Sequence, residues 1–145
     1  MPTPLDALQQ LVDGKRPPPP IAALIGFTLN AVSPGEAVIE LATGRQHANP
    51  MGALHGGVLC DIADAAMGIA YASTLAEGET FATVGLKINF LKPVWAAKLR
   101  ATGRIIKRGK TLGFVECDIT DEEQSLVARA SSTCMTLRGE QADGR

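Results

Sequence analysis

A histidine followed directly by two glycines, His55-Gly56-Gly57, is the first group in this sequence whose types and spacing suggest chemistry. The three residues stand where a long apolar helix is predicted to begin, and a helix N-terminus offers unpaired backbone N–H groups and a positive dipole end. Two glycines also let a ligand approach that backbone closely. A carbonyl held there would have its developing oxyanion stabilised during attack, by a few kcal/mol per donor. We expect the Gly56 N–H to be that donor.

A carboxylate further along the same helix is the second candidate. Asp64 lies about two turns after the glycines, among the apolar residues 62–66. A carboxylate in such surroundings is unfavourable unless it has a partner or a task. Asp61, one turn earlier, is a rival that could simply favour the positive helix start. Residue type and spacing alone do not choose between the two aspartates.

The charge pattern indicates a possible ligand class. Between residues 80 and 115 there are eight basic residues and no acidic one, although the net charge of the chain is -1. A locally basic surface on a nearly neutral chain suits a small polyanion better than a nucleic-acid backbone. A solvated strand face explains the same pattern about equally well.

Composition excludes several other classes. With 145 residues, 46% apolar and 20% charged, the chain is typical of one soluble domain. Its three cysteines, Cys60, Cys117 and Cys134, have neither disulfide nor metal-site spacing, so we expect a reducing, cytoplasmic location and no metal or cofactor. The apolar stretch 53–76 contains His55, Asp61 and Asp64, which favours a buried helix over a membrane span.

The elements that must position these residues follow from hydrophobic periodicity. Helices are predicted at 4–12, at 21–25 and, as the only long one, at 56–75. Strands are predicted near 26–30 and at 37–42, 82–90, 97–107, 112–120 and 125–137. An antiparallel sheet wrapped around one apolar helix is an α+β architecture. Because a single sheet cannot cover a helix that is apolar on nearly every side, we expect a second subunit to cover the rest.

The strand at 82–90 alternates cleanly, with apolar residues at the even positions from Ala82 to Phe90. A period of two predicts that Thr83, Lys87 and Asn89 share one face of the strand. This places Thr83 among polar neighbours at the start of the first strand after the helix.

The segment from Asn49 to Asp64 carries a family resemblance. An Asn-x-x-Gly-x-x-His-Gly-Gly run followed seven residues later by Asp closely resembles the signature of the hotdog-fold thioesterases. It is most similar to the branch with phenylacetyl-CoA-type (PaaI-type) and medium-to-long-chain acyl-CoA thioesterases. The order of predicted elements agrees over residues 25–137. The resemblance therefore implies a hotdog fold and hydrolysis of an acyl- or aryl-CoA thioester.

The resemblance also implies roles for individual residues. Asp64 would be the essential carboxylate, either the general base for water or the nucleophile, and it would face the glycine turn of a neighbouring subunit. Asn49 would add a second polarising contact, His55 would orient the loop or the thioester, and Thr83 would hold the attacking water. Backbone and cationic groups would contact CoA, namely Gly57, Lys107, Arg108, Gly109 and Lys110.

The predicted organisation has three parts: a helical segment with a proline-rich linker at 1–25, a hotdog domain at 26–138 and a flexible tail at 139–145. The expected partners are acyl-CoA and further copies of the chain, as a homodimer or homotetramer, without nucleic acid or membrane. Two alternatives stay open at this point. One is hydration or dehydration of an acyl thioester, which a His55 and Asp64 pair could imitate; the other is a non-catalytic acyl-CoA-binding protein.

Overall fold

The computed structural model describes residues 2–145. Its helices are α1 (Pro4–Val12), α2 (Pro20–Ile25) and the central α3 (Gly56–Ala72). Its strands are β1 (Thr28–Ser33), β2 (Glu36–Ala42), β3 (Thr80–Phe90), β4 (Lys98–Arg108), β5 (Leu112–Thr120) and β6 (Leu126–Leu137). Short 3-10 turns occupy Arg45–His47 and Gly139–Ala142.

The six strands form one antiparallel sheet in the order β1-β2-β4-β5-β6-β3. The sheet curves around α3, which packs chiefly on β2, β4 and β5. The predicted α+β architecture, with an antiparallel sheet wrapped around one long helix, is confirmed. Across residues 2–145, no helix combines the length and the apolar character that crossing a membrane requires.

Small residues allow α3 to lie very close to the sheet. A Cβ atom at Gly103 of β4 would lie 2.5 Å from the carbonyl oxygen of Ala66 and 2.9 Å from the Met67 nitrogen. Side chains cannot approach a helix backbone that closely, so only glycine fits at this crossing. The close approach buries eight helix residues against the sheet: Val58, Leu59, Ile62, Ala63, Ala66, Met67, Ala70 and Tyr71.

Two element boundaries differ from the prediction for identifiable reasons. The central helix ends at Ala72 rather than at residue 75. Ser73 and Thr74 donate side-chain hydrogen bonds to the carbonyls of Ala70 and Tyr71, which competes with continuation of the helix. The first strand begins at Thr28 rather than near residue 26, because Gly26 caps α2 in the left-handed conformation with φ 97°.

The alternation predicted for β3 is interrupted by a β-bulge. Thr83 pairs with Cys134 and Gly85 with Thr133, so Val84 is the extra residue and is 62% exposed. A bulge reverses which residues face the core. Before it, Phe81 packs on the helix at Gly68; after it, the even-numbered residues Leu86 and Ile88 pack against the core. The prediction that Lys87 and Asn89 share the face of Thr83 is therefore wrong.

β3 is an edge strand. Its inner side pairs with β6 over ten residue pairs, whereas within residues 2–145 no strand pairs with its outer side. A long exposed edge presents a row of unpaired N–H and C=O groups that readily accepts another strand.

The helix–sheet contact at Gly103 can be tested by stability. We expect Gly103→Ala to destabilise the fold by about 1–3 kcal/mol, because the added methyl group meets backbone atoms of α3 that cannot move aside. The matched control is Gly85→Ala, where a Cβ would meet nothing within 4 Å and the loss of unfolded-state entropy should leave stability equal or slightly higher. Urea denaturation of both variants measures the difference; equal stabilities would contradict the close-packing argument.

Candidate active site

The side chain of His55 caps α3. Its Nδ1 accepts a 2.8 Å hydrogen bond from the Gly57 N–H. A ring nitrogen that accepts from a backbone N–H carries no proton, so in the neutral ring the proton lies on Nε2. His55 is exposed, and its Nε2–H is therefore available to donate to a ligand. This arrangement suits polarisation of a carbonyl better than removal of a proton.

The Gly56 N–H is free at the start of the helix. Within residues 2–145 it has no hydrogen-bond acceptor. The next two N–H groups do have acceptors: the Gly57 N–H donates to the His55 ring, and the Val58 N–H donates to the His55 carbonyl. The ring of Phe90 lies against this glycine, and a Cβ at Gly56 would lie 3.0 Å from the Phe90 Cζ. The structure thus presents an unpaired donor beside an aromatic wall, as the sequence predicts for an oxyanion contact.

Asn49 organises the loop that leads to the helix. Its Oδ1 accepts hydrogen bonds from the Met51 and Ala53 N–H groups, and its backbone N–H donates to the Ala53 carbonyl at 2.6 Å. Gly52, at φ 90°, closes the turn. The Asn49 oxygen is therefore occupied by the loop, and only its side-chain NH₂ can serve the predicted polarising role.

His47, which is not among the site residues predicted from the sequence, holds the loop before α3 in place. It is only 5% exposed. Its Nδ1 accepts from the Gly44 N–H at 3.0 Å, and its Nε2 lies 2.6 Å from the Ile25 carbonyl oxygen and donates to it. Its own carbonyl accepts the His55 N–H at 2.8 Å. His47 therefore ties α2 to the residue that caps α3; the only sequence signal was its position eight residues before His55.

Asp64 lies in a cleft of about 410 Å³ between the middle of α3 and the bulged start of β3. Thr83 faces it across the cleft, and Cys60 and Asp61 line the same space. Asp64 is accessible to solvent, yet partial desolvation by its neighbours raises the pKa of its carboxyl group. The negative charge of Asp61 raises this pKa further, whereas a hydrogen bond with the Thr83 side chain lowers it.

The surroundings of Cys60 in this cleft disfavour a role as nucleophile. Burial raises the pKa of its thiol, and the negative charges of Asp61 and Asp64 add to the shift. A thiol with a raised pKa stays protonated near neutral pH and is a poor nucleophile. Within residues 2–145 no group of three or more metal-ligating side chains comes together, and the expectation that no cofactor is needed stays a prediction.

The two halves of the candidate site lie apart in one chain. Gly56 and Asp64 lie eight positions apart in the helix, which corresponds to a rise of about 12 Å. The free N–H points out of the helix end, whereas Asp64 projects sideways from its middle. One carbonyl group cannot contact both of them in the same subunit.

The basic turn lies at the other end of α3. The guanidinium of Arg108 is held within the chain, since its Nε donates to Thr74 Oγ1 at 3.1 Å and its Cζ lies 4.5 Å from the centre of the Tyr71 ring. The Gly109 N–H donates to the Leu112 carbonyl. Lys107 and Lys110 are exposed and free of ion pairs within residues 2–145.

Comparison with protein families decides the assignment. Residues 51–128, more than half of the chain, match the model of the thioesterase superfamily. The chain belongs to the thioesterase superfamily. It is a thioester hydrolase with a hotdog fold, and the predicted family and reaction class are confirmed.

Individual members of the thioesterase superfamily support this placement. The chain is 29% identical to human acyl-coenzyme A thioesterase 13 over 74% of this chain and 77% of that protein. It is 31% identical to the 1,4-dihydroxy-2-naphthoyl-CoA hydrolase of Listeria monocytogenes, over 75% and 89%. Among solved structures, the E. coli PaaI protein from the phenylacetic acid degradation operon superposes with a TM-score of 0.81 at 26% identity, covering 91% of this chain and 94% of that one.

The influence of Asp61 on Asp64 predicts a pH effect. If Asp64 must be ionised for turnover, the rate rises with pH through its pKa, which lies above the ordinary value of 3.8. Replacing Asp61 by Asn removes a negative charge that raises this pKa, so the acidic limb of kcat/KM should move to lower pH. Glu77→Gln, which neutralises an exposed carboxylate outside the cleft, is the control. An acidic limb at the same pH in Asp61→Asn would contradict the assignment.

The bridge made by His47 predicts a second effect. His47→Leu leaves the part-buried Ile25 carbonyl and Gly44 N–H without partners, which costs at most about 1–3 kcal/mol each. We expect lower thermal stability together with a lower kcat. His47→Gln, whose NH₂ group can still donate to the Ile25 carbonyl, should recover part of both. Loss of stability with unchanged kcat would show that His47 does not position His55.

Proposed function

We propose that the chain hydrolyses an acyl- or aryl-CoA thioester to a free acid and CoA, at a site shared by two subunits. Gly56 and His55 of one subunit would bind the thioester oxygen, and Asp64 of its partner would direct the attack. The observation that carries the proposal is the free Gly56 N–H at the start of a helix whose carboxylate lies about 12 Å away. The names of the human and Listeria relatives support CoA esters as the substrate class.

The open edge of β3 supports the arrangement of the subunits. Phe90, at the end of β3, lies against Gly56, whereas Thr83, near its start, faces Asp64. If two β3 edges pair antiparallel about a two-fold axis between Leu86 and Lys87, Phe90 of each subunit comes opposite the partner's Thr83. This register brings Gly56 of one subunit to the partner's Asp64, and it creates two identical sites per dimer.

The chemistry at such a site uses four groups. The thioester oxygen accepts hydrogen bonds from the Gly56 N–H and the His55 Nε2–H, which stabilise negative charge as it develops. Ionised Asp64 removes a proton from water while the water oxygen bonds to the carbonyl carbon, and Thr83 helps to hold that water. The C–S bond then breaks, the electron pair leaves with sulfur, and the CoA thiolate takes up a proton. Direct attack by Asp64 is the alternative mechanism: its carboxylate oxygen bonds to the carbonyl carbon, the C–S bond breaks to release the CoA thiolate, and water then hydrolyses the mixed anhydride to the free acid and regenerates Asp64.

CoA would lie along the surface of the assembly. Lys107 and Lys110 are exposed cations that could contact its phosphates. The Arg108 guanidinium and the Gly57 and Gly109 N–H groups already have partners within the chain. We therefore propose that the two lysines carry the phosphate contacts and that Arg108 holds the turn in shape.

The hydrogen bond between Gly57 and His55 favours hydrolysis over hydration. A dehydratase that uses histidine as its base needs an unprotonated ring nitrogen facing the substrate. In His55 the unprotonated Nδ1 is occupied by the Gly57 N–H. The exposed nitrogen is a donor, which polarises a carbonyl and cannot accept a proton.

Mixed dimers test the shared site. Gly56→Pro removes the free N–H. Proline is tolerated here because Gly56 is the first residue of the helix, and because the backbone of His55 already has the extended conformation that a residue before proline prefers. We expect Gly56→Pro to lower kcat about 10²–10³-fold and Asp64→Ala to lower it by orders of magnitude. Refolding equal amounts together should restore about a quarter of wild-type activity, because half of the dimers then carry one intact site. Thiol release from aryl- and acyl-CoA esters measures each mixture.

Gly56→Ala is the matched control for the proline variant. It places the same Cβ beside Phe90 but keeps the N–H, so its kcat should stay much closer to wild type. A mixture that stays as inactive as its components would show that Gly56 and Asp64 act within one subunit. Near-normal thiol release by Asp64→Ala alone would overturn the role of the carboxylate.

A further inference from the structure

A second, roomy cavity lies away from the start of α3. It has a volume of about 840 Å³ and lies beneath α1, the linker 14–19 and α2, against β1 and the outer side of α3. This volume falls within the range of about 300–1,000 Å³ that is usual for small-molecule sites. It shares no lining residue with the cleft at Asp64. The two cavities are therefore separate.

The walls of the cavity are apolar. Leu8, Leu11 and Val12 of α1 face Phe27, Leu29 and Ile69 of the domain body. None of the residues of α1 is buried, although its apolar side lies over this space. The helix therefore covers an apolar space without filling it. An apolar ligand would remove that surface from water and so gain free energy roughly in proportion to the area covered.

Two cationic side chains line the cavity. Lys15 and Arg16 follow α1, and both are exposed at the surface. Neither forms an ion pair within residues 2–145. The nearest acid in sequence, Asp13, does not line the cavity, and its carboxylate accepts a hydrogen bond from Gln9. The cavity thus combines a long apolar interior with two free cations at the rim.

We propose that this cavity binds the carboxylate form of a medium- or long-chain fatty acid, with the chain beneath α1 and the head group at Lys15 and Arg16. An apolar chain with a single anionic end matches both parts of the cavity. A CoA ester would place a much larger polar group at the same rim. The ligand is of the same class as an acid released by the proposed reaction, and only this link rests on the proposed function, since binding needs no catalytic residue.

Calorimetric titration of the full-length protein with laurate tests the proposal. We expect one laurate bound per chain. Ala23→Trp, at an exposed position of α2 that lines the cavity, should fill the space and abolish binding. The double variant Lys15→Gln/Arg16→Gln should weaken laurate binding about tenfold, as for the loss of two exposed charge contacts, and should leave dodecanol binding unchanged. Lys107→Gln/Lys110→Gln is the matched control and should bind laurate normally.

The remaining outcomes separate this site from the catalytic one. Asp64→Ala, inactive in thiol release, should bind laurate like the wild type, so a failed thioesterase assignment would not remove this site. No laurate binding, or binding that Ala23→Trp leaves intact, would overturn the proposal. If light scattering showed that Ala23→Trp dissociates the oligomer, this would also overturn the proposal, because the cavity would then be a subunit interface.

Discussion

The distance along α3 between the Gly56 N–H and the Asp64 carboxylate is the constraint on which the rest of the structure depends. A helix of seventeen residues holds its free N–H at one end and its candidate carboxylate about 12 Å along the axis, and no side-chain rotation can bring the two together. Packing of the helix backbone onto Gly103 makes this spacing rigid. The chain can then use both groups on one carbonyl only by placing a second helix beside the first. The open edge of β3 offers the means, since pairing of two edges positions the helices without any further element.

The β-bulge at Val84 reconciles two demands on β3 that regular alternation cannot meet. Thr83 must face the helix to reach Asp64, and Phe90 must face it to cover Gly56. The two residues are seven positions apart, an odd number, so in a regular strand they would point to opposite faces. One extra residue restores both to the same side. The bulge therefore places a residue of each half-site on one strand, at a spacing that suits a two-fold pairing.

Most of the fold could be predicted from the sequence because hydrophobic periodicity directly reports burial. The central helix, the two strands before it and the four after it follow from that pattern, and the Asn49-to-Asp64 spacing indicated the candidate site residues. The missed features depend on hydrogen bonds that periodicity does not record. Ser73 and Thr74 end the helix through their hydroxyl groups, and the bulge leaves the alternation of residue types in β3 unchanged. His47 could not be distinguished from a surface histidine, because its partners lie on α2 and on the adjacent loop.

The electrostatics of the cleft place the Asp64 carboxylate where its ionised form is disfavoured. A carboxyl whose pKa is raised in the folded chain binds its proton more tightly there than in the unfolded chain. Its contribution to the stability of the fold is therefore most favourable below the pKa that it has in the unfolded chain. That contribution is lost, and the ionised group becomes unfavourable, as the pH rises through this pKa and then through the higher pKa in the folded chain. At neutral pH an ionised Asp64 beside Asp61 thus opposes folding. A structural aspartate would be expected to have a cationic partner, but the residues that act on Asp64 here are another carboxylate and a hydroxyl group. That arrangement is typical of a group kept for its chemistry.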